Sequence, residues 1–164
     1  MRIGILTVSD RASAGVMEDR GGPAIRESLD PSWEVARAEI VPDDAASIAE
    51  RLRQWTDTQA VDVILTTGGT GLGPRDVTPE AVLSVADRPV PGIAEALRAA
   101  GLEQTPQAML SRGVAAIRGH TLIVTLPGSP RGAAQGVELL RPVLPHAIAT
   151  MQGSSHAGAN TTSQ

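Results

Sequence analysis

Two hydrophobic periods alternate along this chain, one of two residues and one of three to four, the pattern of strands interleaved with helices. Residues 2–9 (RIGILTVS) are a short aliphatic run closing in polar side chains and predict a buried first strand. A loop over residues 10–22 follows, with Gly15, Gly21 and Gly22 among charges, and then a short helix over 23–29 opening at Pro23. Residues 33–41 (WEVARAEIV) alternate apolar and polar positions, as a half-exposed strand does, until Pro42 stops them. Asp43 and Asp44 then offer an N-cap to a helix whose inner face carries Ile48, Leu52 and Trp55.

A third strand is predicted over 61–66 (VDVILT), leading into the glycine-rich segment 68–76 (GGTGLGPRD). Thr78, Pro79 and Glu80 read as a helix start, with Thr78 as the cap and Pro79 at the first helical position. Another helix is expected over 93–100, ending near Gly101. The aliphatic runs 114–117 and 121–126, split by Arg118, Gly119 and His120, predict a hairpin and hence one antiparallel strand. Ser129-Pro130 opens a last helical region, broken at Pro142 and Pro145, that runs to about Met151. One domain over 1–151 is expected, with a polar tail over 152–164 that should be disordered. Alternation of this kind implies an α/β fold with a mostly parallel sheet. The loops beginning at Asp10, Pro42, Gly68 and Pro127 all leave carboxyl ends of strands, where ligands bind in such folds, so they should converge on one edge.

Composition narrows the partners. At 164 residues and 41% hydrophobic, the chain can bury one sizeable core. A net charge of -4 argues against a general nucleic-acid or anionic-membrane binder, since such partners select basic surfaces. With two Trp and no Tyr or Phe there are few platforms for stacked bases, and the core falls to Val, Ile, Leu and Ala. The absence of Cys removes disulfides, thiolate nucleophiles and zinc-thiolate sites together. No apolar run approaches the roughly 20 residues of a membrane span. The first ten residues read as a strand and not as a signal sequence, so a cytoplasmic protein is expected.

The strongest local signal is 66–76 (TTGGTGLGPRD), where glycines let a backbone approach a phosphate or ring and unpaired N–H groups form an anion nest. It lacks the Lys-Ser/Thr of a Walker loop, and its spacing and position are wrong for a dinucleotide fingerprint. Asp76 reads either as a turn aspartate or as a Mg²⁺ ligand, because Mg²⁺ takes one or two carboxylates with phosphate oxygens and water. One of Asp43 and Asp44 is expected to be only a cap. Ser9, Asp10 and Arg11 close the first strand, and Ser129 caps a helix whose N-terminus favours anions. Arg11, Arg75 and Arg131 are candidate positive charges near these ends. His120, His146 and His156 show no metal-ligand spacing, and no G-x-S-x-G elbow is present.

Four segments together, VSDRAS at 8–13, VPDD at 41–44, TTGGTGLGPRDVTPEA at 66–81 and LPGSP at 126–130, resemble the MoaB/Mog-type molybdopterin-binding family, relatives of the gephyrin G domain. The likeness holds in order and spacing to about residue 151. It implies a three-layer α/β sandwich, assembled as a homotrimer. It further implies a molybdopterin adenylyltransferase of molybdenum cofactor biosynthesis. Such an enzyme moves AMP from ATP to the terminal phosphate of molybdopterin, releasing pyrophosphate with the help of Mg²⁺. A separate molybdenum-insertion protein would take the product.

The family's two essential aspartates fall on Asp43 and Asp76, which become the candidate catalytic and Mg²⁺-holding residues. The resemblance assigns Ser9, Asp10, Gly68, Gly69, Thr70, Gly71 and Thr78 to the nucleotide and phosphate region, and Pro127, Gly128 and Ser129 to the pterin side. Some members keep the fold without demonstrable activity, so a pterin-binding or scaffolding trimer is the alternative. A nicotinamide-dependent oxidoreductase has no support, because the first loop carries no glycine fingerprint.

Overall fold

The three central strands are buried along almost their whole length, and that fixes the architecture. In the computed structural model, which describes residues 1–153, these are β1 (Arg2–Val8), β3 (Val63–Thr67) and β6 (Thr121–Leu126). They read as continuous aliphatic runs because helices cover both faces of the sheet. Alternate side chains sort the core in two. Ile3, Ile5, Val63, Leu65, Leu122 and Val124 pack on one face with Ile25, Ala133, Val137, Leu140 and Leu144. Leu6, Val8, Ile64 and Ile123 pack on the other with Ile48, Leu52, Trp55, Val82 and Val85. The result is a three-layer α/β sandwich.

The chain runs β1, α1 (Asp10–Ser13), α2 (Gly21–Ser28), β2 (Glu34–Val41), α3 (Ala45–Asp57), β3, α4 (Thr78–Val85), β4 (Arg88–Pro89) and α5 (Pro91–Leu102). A 3₁₀ turn at Pro106–Leu110 leads into β5 (Ala115–Arg118), β6, α6 (Pro130–Leu140) and α7 (Leu144–Met151). The six strands lie in the order β2-β1-β3-β6-β5-β4. β1 is parallel to β2 and β3, and β3 to β6, while β5 runs against both of its neighbours. The expected hairpin is therefore present, closed through Gly119 at φ 55 with Arg118 opposite Thr121.

Several expectations need correction. The segment 10–22 is not one loop, since it contains α1, and α2 opens at Gly21, ahead of Pro23. Proline is tolerated there because first-turn amides need no helical partner. Thr78 is the first residue of α4 and not its cap; Val77 holds the cap position without a side-chain bond. The clean alternation expected over 33–41 is blurred by a register shift opposite Ile3 and Gly4, where β2 carries one extra residue. Pro145 lies in the first turn of α7, so the last helical region breaks only around Pro142. The short edge strand β4 was not foreseen. Of the predicted disordered tail, Gln152 and Gly153 form a turn, and residues 154–164 lie outside the described residues. Among the described residues no helix is long and apolar enough to cross a membrane.

Candidate functional site

Strand register brings the predicted loops together. Val8 pairs with Val41, Thr7 with Thr67, and Thr67 with Leu126, so four adjacent strand ends open onto one edge of the sheet. The glycine loop leaves the middle of that edge. Gly68 has φ 98, and a Cβ there would lie 2.2 Å from the Val8 carbonyl oxygen. Gly69 follows at φ 65, against the Thr78 hydroxyl. Only residues without a side chain can make this turn while lying flat against β1. Thr78 holds the loop from beneath: its hydroxyl donates to Gly68 O at 3.0 Å and its amide to Gly69 O at 3.1 Å. Both of its donors are thereby engaged by the loop, which draws its hydroxyl away from capping α4.

On one side of the loop lies a group of acids. Asp10 and Asp43 bond reciprocally, each carboxylate accepting from the other's backbone amide at 2.7 and 3.0 Å. Arg75 closes a two-pronged pair on Asp10, at 3.0 and 2.9 Å, and holds the Asp10 carboxyl below the usual range. Asp43 behaves oppositely. Partial burial pushes its carboxyl up, and the nearby charges of Asp10 and Asp76 add to this against the Asp10 amide bond. Its Oδ2 is tied to Asp10, while Oδ1 lies against Gly69. Asp44 points elsewhere and caps α3, accepting from the Ser47 amide and hydroxyl at 2.8 and 2.7 Å. The two adjacent acids therefore divide into a cap and a group facing the loop.

Asp76 approaches the loop from its far end. Its Oδ2 accepts from the Gly73 amide at 2.8 Å and lies beside Gly71. It also lines a cleft of about 640 Å³ bounded by Gly69–Leu72, α5, the 3₁₀ turn and the start of α6. Pro127, Gly128 and Ser129 form the opposite lip, close enough that a Cβ on Gly128 would lie 3.3 Å from the Gly68 Cα. The Thr67 hydroxyl fixes that lip by donating to Pro127 O at 2.7 Å. Leu72, Leu97, Leu110 and Leu139 make much of the wall apolar, the kind of surface that accepts a flat ring.

Of the expected site residues, Gly69, Thr70, Gly71, Asp76, Pro127, Gly128 and Ser129 line the cleft. Gly68 opens the loop itself, and Ser9, Asp10, Asp43 and Thr78 stand behind it, outside the cleft lining. The Ser9 and Ser129 hydroxyls both serve as helix caps, accepting from the amides of Ala12 and Gly132. Arg131 lines the cleft mouth and donates to Gln104 at 2.9 Å. Sequence reasoning missed Arg98, which lines the cleft, and Arg112, which bonds to the glycine loop. Each stands in a stretch without glycine signature or charge pattern, so no local signal marked them.

Among the described residues no group of three or more His, Cys, Asp or Glu is arranged to hold a metal. Asp10 lies near the pair but is taken by Arg75, which leaves Asp43 and Asp76 as the carboxylates facing the loop. Mg²⁺ suits such a pair, because it completes its shell with phosphate oxygens and water.

Residues 4–146 match the family described as a probable molybdopterin binding domain. The chain is 44% identical over 153 residues to a molybdenum cofactor biosynthesis bifunctional protein of Synechococcus elongatus, covering 93% of this chain but only 48% of that one, so it spans about half the length of that relative. It is 43% identical over 142 residues to a molybdopterin adenylyltransferase of Escherichia coli, covering 84% of this chain and 72% of that one. The crystal structure of the molybdopterin biosynthesis enzyme MoaB from Thermus thermophilus superposes with a TM-score of 0.87 at 54% identity, covering 93% and 96% of the two chains. Family match, sequence likeness and superposed fold agree over most of the chain, and it belongs to the molybdopterin-binding family of the MoaB and Mog proteins.

Proposed function

We propose that this protein is a molybdopterin adenylyltransferase of molybdenum cofactor biosynthesis. One observation carries the reading: Asp43 and Asp76 meet the same glycine loop from two sides, and Asp76 and the loop line a cleft with an apolar wall. Relatives named for this activity support it.

The reaction joins two anions, and that sets what the protein must supply. An oxygen of molybdopterin's terminal phosphate attacks the α-phosphorus of ATP. The bond from that phosphorus to the β-phosphate bridging oxygen breaks, and pyrophosphate leaves. The nucleophile is already ionised at neutral pH, so no strong general base is needed. Positioning and charge neutralisation carry most of the rate. The cleft wall holds the pterin beside Pro127–Ser129, and the loop amides meet the phosphates. Asp43 and Asp76 would hold Mg²⁺, which would supply positive charge to offset that of the phosphates. Asp10 steers Asp43 by tying one of its oxygens, and Arg75 cancels the charge of Asp10 itself. The same reading brings a homotrimer of 16.9 kDa subunits.

Incubation of the purified protein with molybdopterin, ATP and Mg²⁺ tests this, with adenylyl-molybdopterin and pyrophosphate as the measured products. Wild type should yield both, and Asp43→Asn and Asp76→Asn should yield neither while still binding molybdopterin. Tight pterin binding without product from wild type would leave a binding or scaffolding role and refute the transferase.

A further inference from the structure

Arg112 makes an unusual set of contacts for a half-buried arginine at the rim of a sheet. Its backbone amide donates to Thr70 O at 2.9 Å. Its Nε donates to Gly71 O at 2.7 Å, and its Nη2 donates to Asp76 O. Nη1 pairs with the Glu80 carboxylate. One residue thus gathers three carbonyl oxygens from the glycine segment, with its own charge balanced by a carboxylate on α4. Arg112 does not line the cleft, whereas Gly71, Leu72 and Asp76 do.

A trans peptide points its N–H opposite to its C=O, and no cis peptide is present among the described residues. Holding the carbonyls of Thr70 and Gly71 toward Arg112 therefore turns the amide hydrogens of Gly71 and Leu72 away from it. Among the described residues no protein acceptor takes either of these hydrogens. Glycine makes the need for such a clamp acute, because the Gly71 peptide units can flip at little steric cost.

We propose that Arg112 is a positioning residue that orients the Gly71 and Leu72 amides as phosphate-binding donors. It acts through the loop's carbonyls and never touches the ligand. The proposal rests on the phosphate-binding role given to this loop above. Arginine suits the task because its planar fork serves separate acceptors at once, whereas a lysine ammonium on a flexible stem does not reproduce that geometry.

The test uses the full-length ¹⁵N-labelled protein and inorganic pyrophosphate, with Mg²⁺ present throughout. In wild type, pyrophosphate should shift the Gly71 and Leu72 amide resonances saturably. Arg112→Lys keeps the charge, so its thermal midpoint should stay near that of wild type. The same variant should displace the Leu72 resonance before any ligand is added, because only the Gly71 carbonyl is held by the side chain while the Thr70 carbonyl is held by the main-chain amide. It should also weaken pyrophosphate binding about tenfold, the loss of one oriented hydrogen bond. In turnover it should raise the KM for ATP by a similar factor and leave molybdopterin affinity within twofold.

Arg112→Gln is the harsher variant, and should it fail to fold the lysine variant decides alone. Pyrophosphate affinity within twofold of wild type in Arg112→Lys overturns the proposal. So does a wild-type titration that leaves the Gly71 and Leu72 amides unmoved. Absence of adenylyl-molybdopterin from wild type, with the amide shifts and their loss in Arg112→Lys intact, would overturn the transferase reading but not this one.

Discussion

Gly68→Ala separates two costs that glycine loops usually confound, backbone strain and steric contact. At φ 98 an alanine lies beyond the ordinary left-handed region, a strain of roughly 1–2 kcal/mol. Its Cβ would also lie 2.2 Å from the Val8 carbonyl oxygen, which belongs to a central strand and is still paired with β2 at Val41, so it resists swinging aside. Relieving that overlap adds about 1–3 kcal/mol, while the stiffer unfolded chain returns about 0.4–1 kcal/mol. A net loss of about 3 kcal/mol corresponds to a fall in Tm of roughly 6–12 °C for a domain of this size. Gly15→Ala and Gly119→Ala are the controls: φ is 70 and 55, and a Cβ at either would meet nothing within 4 Å. They carry the strain alone and should lower Tm by about 3 °C or less. Urea melts with equal m-values would show that all three variants unfold from the same state. If Gly68→Ala melted no lower than the two controls, the contact with β1 would relax freely, and the argument that this turn demands glycine for close approach would fail.

Three further substitutions probe the acids. Asp43→Asn keeps an oxygen for the Asp10 amide and removes a partly buried charge whose protonation is favoured in the fold. Wild type, with its carboxyl raised, loses stability as pH climbs from the unfolded value through the folded one, so without metal the variant's advantage in Tm should grow over that interval and then level off. Asp44→Ala removes the α3 cap and should lower Tm by roughly 2–4 °C without changing pyrophosphate affinity, which calorimetry would check. At Asp62, burial pushes the carboxyl up, but bonds from the Arg2 side chain and amide outweigh it and leave it below its ordinary value. Asp62→Asn should therefore cost about 1 kcal/mol near neutrality. That difference should vanish as pH falls through the folded-state value in a series of denaturant melts.

Much of the fold was legible because its central strands sit between two helical layers, so burial wrote continuous aliphatic runs at 2–8, 63–67 and 121–126. The convergence of four loops followed from strand direction alone. What escaped detection depended on contacts between distant segments. Asp43 and Asp44 are chemically alike and adjacent. Pattern alone could not separate them; the resemblance singled out Asp43, and the Ser47 bonds show that Asp44 is the residue that caps α3. Thr78 looked like a cap because Thr-Pro-Glu is a common helix opening, but its hydroxyl is drawn off by a carbonyl ten residues earlier. Strand β4 has only two residues, one of them Pro89, too few to show a period. Arg112 carries no local pattern, since its role arises from carbonyls between 36 and 42 positions before it.

The charges around the glycine loop are partitioned, and the partition bears on which ligand the proposed function requires. Arg75, within the glycine segment, is taken by Asp10, and Arg112, which bonds to that segment, by Glu80, so both are already paired with a carboxylate. Among the described residues Asp43 and Asp76 form no ion pair, and the Asp43 carboxyl is raised first by burial and further by the charges of Asp10 and Asp76. A bare triphosphate arriving at the loop would gain hydrogen bonds from the amides and meet repulsion from both aspartates. A triphosphate carrying a divalent cation gains from both, because the cation is attracted to the carboxylates that would repel its partner. Under the proposed function, pairing Arg75 and Arg112 would tilt the loop toward metal-bound polyphosphate over free anion, with Arg98 and Arg131 of the cleft wall as the remaining positive charges. Placing those arginines unpaired at the loop would bind phosphate more simply and lose that selection.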